Sequence, residues 1–266
     1  MLKFYLNKTY LRPIFYVNSR LQYSGMRTLI IGDIHGGLRA LKQILERSKT
    51  TGNDLLIFLG DYVDGWSESP QVLDFLIELK KTNNCIFMRG NHDELLCEWL
   101  IDNKDNPMWY KNGGKSSILA YQLVSNERRQ KHIEFLKSLQ NYYLDSHNRL
   151  FIHAGFTNMN GVDSEYFPKL LYWDRTLWET ALALNENFKT THKFYPRRFT
   201  LYKEIYIGHT PVTRIGKLIH VQKANIWNVD TGAAFNGPLT IMDIDTKEFW
   251  QSDSLPSLYP NEKGRN

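Results

Sequence analysis

Thr28-Leu29-Ile30-Ile31-Gly32-Asp33-Ile34-His35-Gly36 is the stretch on which the fold reading turns. Four apolar or β-branched residues run together until a glycine stops them, the mark of a short buried strand bounded by a turn. Two residues with donor atoms, Asp33 and His35, follow as the chain leaves that strand. The layout recurs. Leu55-Leu56-Ile57-Phe58-Leu59 leads into Gly60-Asp61-Tyr62-Val63-Asp64-Gly65, and Cys85-Ile86-Phe87-Met88 into Gly90-Asn91-His92-Asp93-Glu94. Leu150-Phe151-Ile152 ends in His153-Ala154-Gly155, and Glu204-Ile205-Tyr206-Ile207 in Gly208-His209-Thr210. Leu38, Leu41, Ile44 and Leu45, then Val72, Phe75, Leu76 and Leu79, fall at helical spacing between these runs. Alternation of this kind predicts a layered α/β domain with helices on its outside.

Further strands are expected over 225–229 and 239–244, with a helix over 176–184. From about Glu94 to Gln140 the signals are helical, broken at Gly113-Gly114, and read as a helical insertion within one domain spanning 26–250. Residues 251–266 read as an irregular surface tail. The first 25 residues carry Lys3, Lys8, Arg12 and Arg20 and no acid, and lack the continuous apolar segment of a secretory signal. They are expected to be a basic leader or an over-extended start outside the fold.

Composition narrows the function classes. The chain has 266 residues, 42% of them apolar and 23% charged, which excludes disorder and coiled coil. Its formal charge of +5 lies almost entirely in the leader, so no basic face for nucleic acid is expected. No run approaches the roughly 18 apolar residues of a membrane helix. Two cysteines, Cys85 and Cys97, exclude a disulfide scaffold and a four-thiolate zinc site, and a reduced cytoplasmic compartment is expected.

The five strand exits supply carboxylate, amide and imidazole donors and no thiolate, a set suited to manganese, iron or zinc. Two such divalent ions about 3.5–4 Å apart clamp the attacking and leaving oxygens of a phosphoryl transfer. Any one Gly-Asp or Gly-His after a strand is ordinarily a turn or a cap. The ordered occurrence of all five is what points to chemistry. Of eight histidines, four stand on these exits, whereas His132, His147, His192 and His220 have no such context.

The ordered set G-D-I-H-G, G-D-Y-V-D, R-G-N-H-D, H-A-G and G-H-T resembles the calcineurin-like metallophosphoesterase superfamily. Within it, the set is similar to the branch of serine/threonine protein phosphatases and symmetrical diadenosine tetraphosphate hydrolases. The resemblance implies a two-layer β-sandwich flanked by helices, with two metal ions, manganese first, at the strand ends. It makes Asp33 and His35 ligands of one ion, Asp61 a bridge, and Asn91, His153 and His209 ligands of the other. His92 would protonate the leaving oxygen, Asp64 would orient His92, and a hydroxide held between the metals would attack phosphorus.

The chain departs from the protein phosphatases of the family in two motifs. The third motif ends in Asp93 where they commonly have glutamate, a variant closer to the dinucleotide hydrolases. Protein phosphatases of this branch read G-D-x-V-D-R-G, with the arginine on a substrate phosphate oxygen; here Gly65-Trp66 follows Asp64. Restoring that arginine by Gly65→Arg is expected to improve monoester binding if the loop accepts a side chain. A second phosphate-binding arginine is matched to Arg175, in a segment resembling bacterial and phage-type phosphatases, and 109–114 resembles their substrate-side insertion. The expected function is hydrolysis of phosphate monoesters, serine/threonine-phosphatase-like, with a phosphoprotein or nucleotide as partner and no obligate protein partner. Alternatives are a dinucleoside polyphosphate hydrolase and a non-catalytic metal-binding scaffold.

Overall fold

The computed structural model describes residues 26–266, so the leader expected at 1–25 lies outside the described residues. Two five-stranded sheets carry the molecule. The first contains β1 (Thr28–Ile31), β2 (Leu55–Phe58), β3 (Asn84–Phe87), β9 (Thr240–Asp243) and β10 (Phe249–Gln251), in the order β10-β9-β1-β2-β3. The second contains β4 (Tyr142–Leu144), β5 (Arg149–Ile152), β6 (Glu204–Ile207), β7 (Val221–Lys223) and β8 (Ile226–Asn228), in the order β4-β5-β6-β8-β7. In each sheet three strands are parallel: Ile31 pairs with Phe58 and Phe58 with Phe87, while Phe151 pairs with Tyr206 and Tyr206 with Trp227.

Alternation along β1 explains the layering. Leu29 and Ile31 face the helices α1 (Leu38–Arg47) and α2 (Ser69–Thr82) in one core, and Ile30 faces the other sheet. All three are fully buried, as a strand covered on both faces requires. Between the sheets Ile30, Ile57, Met88 and Met242 meet Phe151 and Tyr206, whose rings stack 5.0 Å apart. The second sheet is covered outside by α7 (Leu170–Trp173) and α8 (Thr176–Ala183), which bury Leu171, Leu177 and Trp178. This is a two-layer β-sandwich flanked by helices.

Residues 91–137 are helical: α3 (Asn91–Asp102), the short α4 (Pro107–Trp109), a wide turn through Tyr110–Gly114, α5 (Lys115–Tyr121) and α6 (Asn126–Lys137). Gly113, at φ 107°, makes the kink that the Gly-Gly pair signalled. No helix among the described residues is long and apolar enough to cross a membrane.

The end of the chain differs from expectation. Rather than an irregular surface tail, residues 252–266 include a short helix, α9 (Leu255–Leu258), and bury Leu255 and Tyr259 completely. Tyr259 stacks on Trp66 with ring centroids 5.2 Å apart, and its backbone segment is pinned where Arg39 N–H donates to Tyr259 Oη at 3.0 Å. Ser67 N–H and Oγ–H both donate to Glu262, at 2.9 and 2.7 Å. The segment folds because two aromatic rings, one on the β2 exit and one in the tail, remove each other from water.

Candidate active site

Every expected site residue except Arg175, which stands at the N-cap position of α8, lies on a strand exit or just beyond it, and the parallel strands of both sheets point those exits to one end of the sandwich. Four of the positions have strained backbone for a reason that geometry supplies. His35, Asp61 and Asp64, like His209, have positive φ (51, 53, 73 and 67°), a conformation costly for residues with a Cβ. The β2 exit is held in this shape by the buried Asp93 carboxylate, which accepts from the N–H groups of Asp61 (2.8 Å), Tyr62 (2.9 Å) and Gly90 (2.9 Å). Glycines leave room for carboxylates: a Cβ on Gly208 would stand 2.1 Å from Asp33 Oδ1, and one on Gly90 2.1 Å from Asp61 Oδ1.

The first sheet supplies Asp33, His35, Asp61 and Asn91, and the second supplies His153 and His209; all six are buried. His35 Nε2 lies 3.9 Å from Asp33 Oδ2 and 3.6 Å from Asp61 Oδ2, and His153 Nε2 lies 3.4 Å from the same Asp61 oxygen. Asn91 Oδ1 is 2.9 Å from His209 Nδ1 and 3.4 Å from His153 Nε2. Donor atoms gather in two sets that share Asp61, one with His35 and His92, the other with His153 and His209.

These residues fit a pair of cations. His35 Nδ1 rests on Val63 O (3.2 Å) and His153 Nδ1 on Leu59 O (2.8 Å), so each ring donates from Nδ1 to a carbonyl and, when neutral, leaves its Nε2 lone pair for a cation. Asp33 Oδ1 and His209 Nε2 are buried without a hydrogen-bond partner among the described residues, an expensive state unless something else fills their valence. Burial, reinforced by Asp230 and Asp61, pushes the Asp33 carboxyl well above its usual range. Burial also disfavours charge on Asp61, but His153, His92 and His35 outweigh it and hold that carboxyl well below its usual range. His153 is driven up to about 10: burial opposes its charge, and Asp61 with Asp33 prevails. Burial lowers His35 and His209 well below an ordinary imidazole.

His92 opens α3 and sits beside this cluster. Its Nδ1 is 2.6 Å from Asp64 Oδ2, which also accepts from Trp109 Nε1 at 2.5 Å, while Ser117 Oγ donates to Asp64 Oδ1 at 2.6 Å. A fully buried carboxylate with three side-chain partners holds its imidazole in one orientation. Trp109 and Ser117, both from the helical region, were not separable from core packing by sequence; the structure gives them this polar task.

A cleft of about 260 Å³ opens onto Asp61, Asn91, His92 and His209. Arg175 lines it, with Nη1 donating to Thr210 Oγ1 at 3.0 Å. Two further arginines line it that sequence reading did not single out, Arg214 and Arg265. Arg214 follows His209 by five residues and was open to discovery; Arg265, beyond the last strand, carried no signal. Burial lowers the Arg175 guanidinium, and the charges of Arg214 and Arg265 lower it further. Asp230, a buried carboxylate just past β8, was also missed, although it stands on a sixth strand exit; burial pushes it up to about 6.

The sequence pattern of the calcineurin-like phosphoesterase family matches residues 26–220. The chain belongs to that family. It is similar to bis(5′-nucleosyl)-tetraphosphatase PrpE, designated asymmetrical, of Oceanobacillus iheyensis (27% identity over 84% of this chain and 91% of the relative). The same-named protein of Halalkalibacterium halodurans is 29% identical over 89% of this chain and 97% of its own length. Serine/threonine-protein phosphatase 1 of Salmonella typhimurium is 24% identical over 81% of this chain and 90% of its own. A protein serine/threonine phosphatase structure from Saccharomyces cerevisiae shares the fold, with a TM-score of 0.57 and 16% identity, over 86% of this chain and 80% of that one. This chain is therefore a metallophosphoesterase, and sequence had placed the tetraphosphatase resemblance with the symmetrical enzymes, whereas these relatives carry the asymmetrical designation.

Proposed function

We propose that this metallophosphoesterase hydrolyses nucleotide-type substrates carrying more than one phosphate, dinucleoside polyphosphates foremost. The observation that carries the reading is the convergence of Arg175, Arg214 and Arg265 on the cleft that exposes the donor cluster; among the described residues none of the three has an ion-pair partner. Unpaired guanidiniums lining one cleft favour several anionic groups, because charge-assisted bonds to phosphate oxygens are about twice as strong as neutral ones. Trp173 on the cleft rim is 41% exposed and offers an apolar face to a base.

In this reading Asp33, His35, Asp61, Asn91, His153 and His209 hold two divalent ions, manganese first, with Asp61 shared. When bound, such ions act as Lewis acids toward phosphoryl oxygens and make water nucleophilic near neutral pH. His92, turned by Asp64, donates a proton to the departing oxygen from its Nε2, and Arg175 orients the phosphoryl group. The cleft walls keep that proton transfer away from bulk water. A phosphoprotein monoester is the second reading, favoured by the likeness to the Salmonella phosphatase over most of both chains.

Turnover of diadenosine tetraphosphate, a phosphopeptide and an aryl phosphate, each with manganese, separates the readings. The highest kcat/KM is expected for the tetraphosphate, and identification of its products (ATP with AMP, or ADP alone) assigns the cleavage position. A phosphopeptide preferred by an order of magnitude or more reverses the order of the two readings. Absence of turnover on all three, in protein shown to contain metal, leaves a binding scaffold.

A further inference from the structure

We infer that Arg265, delivered by the folded segment 252–266, is a substrate-phosphate ligand of the cleft, working together with Arg175. The assignment rests on the phosphoesterase reading above and extends it to a residue far from the motif loops.

Arg265 is placed rather than loosely attached. Its N–H donates to Ala234 O at 2.8 Å, and its guanidinium carbon stands 5.2 Å over the Phe235 ring. Asn266 Nδ2 donates to Asn236 Oδ1 at 3.1 Å, so the chain is tied on both sides of the arginine. Gly264, at φ 58°, makes the turn that aims it, and packs so closely on Trp66 that a Cβ there would meet the indole at 2.6 Å.

The β2 exit is shaped to receive this side chain. At Gly65 a Cβ would lie 3.3 Å from Arg265 Cγ, and at Gly113 only 2.9 Å from it. Two glycines with positive φ thus border the stem of one arginine, one on the loop that bears Asp61 and Asp64 and one in the helical region. Trp66, next to Gly65, is the residue on which Tyr259 stacks, so the same loop that makes room for Arg265 also anchors the segment that brings it.

The guanidinium is left waiting for an anion. Among the described residues its buried Nε has no hydrogen-bond partner and no carboxylate pairs with it. Its charge acts on Arg175, which lines the same cleft. A cation with this surround, lining with Arg175 a cleft of about 260 Å³, gains most from a phosphoryl group bound there.

Inorganic phosphate is the probe, measured as a competitive inhibitor and by calorimetric titration of metal-loaded protein. Arg265→Ala is expected to weaken phosphate about tenfold and to raise KM for an aryl phosphate with little change in kcat. Metal content and melting temperature should match the wild type. Arg265→Lys should recover part of the loss, because lysine restores the charge without the two-pronged donor geometry. Arg175→Ala, run in parallel, is expected to lose phosphate binding as well. Wild-type phosphate affinity in Arg265→Ala, while Arg175→Ala is impaired, overturns the assignment and leaves the function standing. A loss in Arg265→Ala that comes with a lowered melting temperature and is not recovered by lysine also overturns it, since the role is then packing. Failure of the wild type itself to bind phosphate or turn over an ester rejects the functional reading together with this inference.

Discussion

Asp61 is the residue on which most of the site depends. Its Oδ2 faces His35 and His153, its Oδ1 accepts from the His92 N–H at 2.9 Å, and its backbone is held at φ 53°. Asparagine keeps the volume and one oxygen acceptor but removes the charge that two donor sets share. Asp61→Asn is therefore expected to lose more bound manganese, by elemental analysis, and more kcat than His35→Ala or His209→Ala. Retention of two ions per chain would show that Asp61 is not shared. For His92 the geometry leaves a choice, because the ring lies within ligand range of His35 and Asp61 as well as on Asp64. A general acid contributes about 10²–10⁴-fold, most for a poor leaving group. His92→Ala should keep its metal, lose that factor on an alkyl phosphate, and lose much less on a nitrophenyl ester; loss of metal would make it a ligand instead. These donor residues were legible in sequence because each follows a strand that its own apolar run announces. Their left-handed backbone was not, since nothing in Asp-x-His or Gly-His marks a non-glycine residue for positive φ.

At the scale of elements, the helical region between β3 and β4 does more than cover the sheet. Trp109, 2% exposed at the end of α4, reaches Asp64 through its indole N–H, and Ser117 reaches it from α5. Trp109→Phe keeps most of the ring and deletes that donor. A net hydrogen bond of about 1 kcal/mol corresponds to roughly a five- to tenfold loss of rate, with metal content unchanged. A silent Trp109→Phe would return this tryptophan to plain core packing. The β2 exit makes the opposite point about restoring a family residue. Gly65 has φ 98°, and any side chain there meets Arg265, so Gly65→Arg is expected to raise KM for monoesters rather than lower it, contrary to the sequence expectation. Improved monoester binding would mean that the loop relaxes and Arg265 moves aside freely. The strands, the flanking helices and the break at Gly113 could be read because periodicity is local. The packing of residues 252–266 could not, because Trp66 and Tyr259 are far apart along the chain and a single aromatic in a polar stretch has no period to detect.

For the molecule as a whole, the donor cluster is a seam. Asp33, His35, Asp61 and Asn91 come from the first sheet and its exits, His153 and His209 from the second, and the protein's own bonds between these groups are few. His209 N–H donates to Asp33 Oδ2 at 2.9 Å, yet Asp33 Oδ1 and His209 Nε2 are buried without a hydrogen-bond partner among the described residues. Cations that satisfy those atoms bind the folded state and have no equivalent site in the unfolded chain, so by mass action they stabilise the fold. At about 100 times the dissociation constant one site contributes about 2.7 kcal/mol. In a chain of this size each kcal/mol moves the melting temperature by roughly 2–4 °C, so one site raises it by roughly 5–11 °C. Chelation should therefore lower the melting temperature as well as abolish turnover, and manganese should restore both, whereas Asp61→Asn should show little response to added metal. The measurement is a pair of melting curves for each protein, with chelator and with manganese, beside the metal content. Equal melting temperatures in wild type with and without bound metal would show that the two sheets are joined by the Ile30–Phe151 core alone and that the seam carries chemistry without carrying stability.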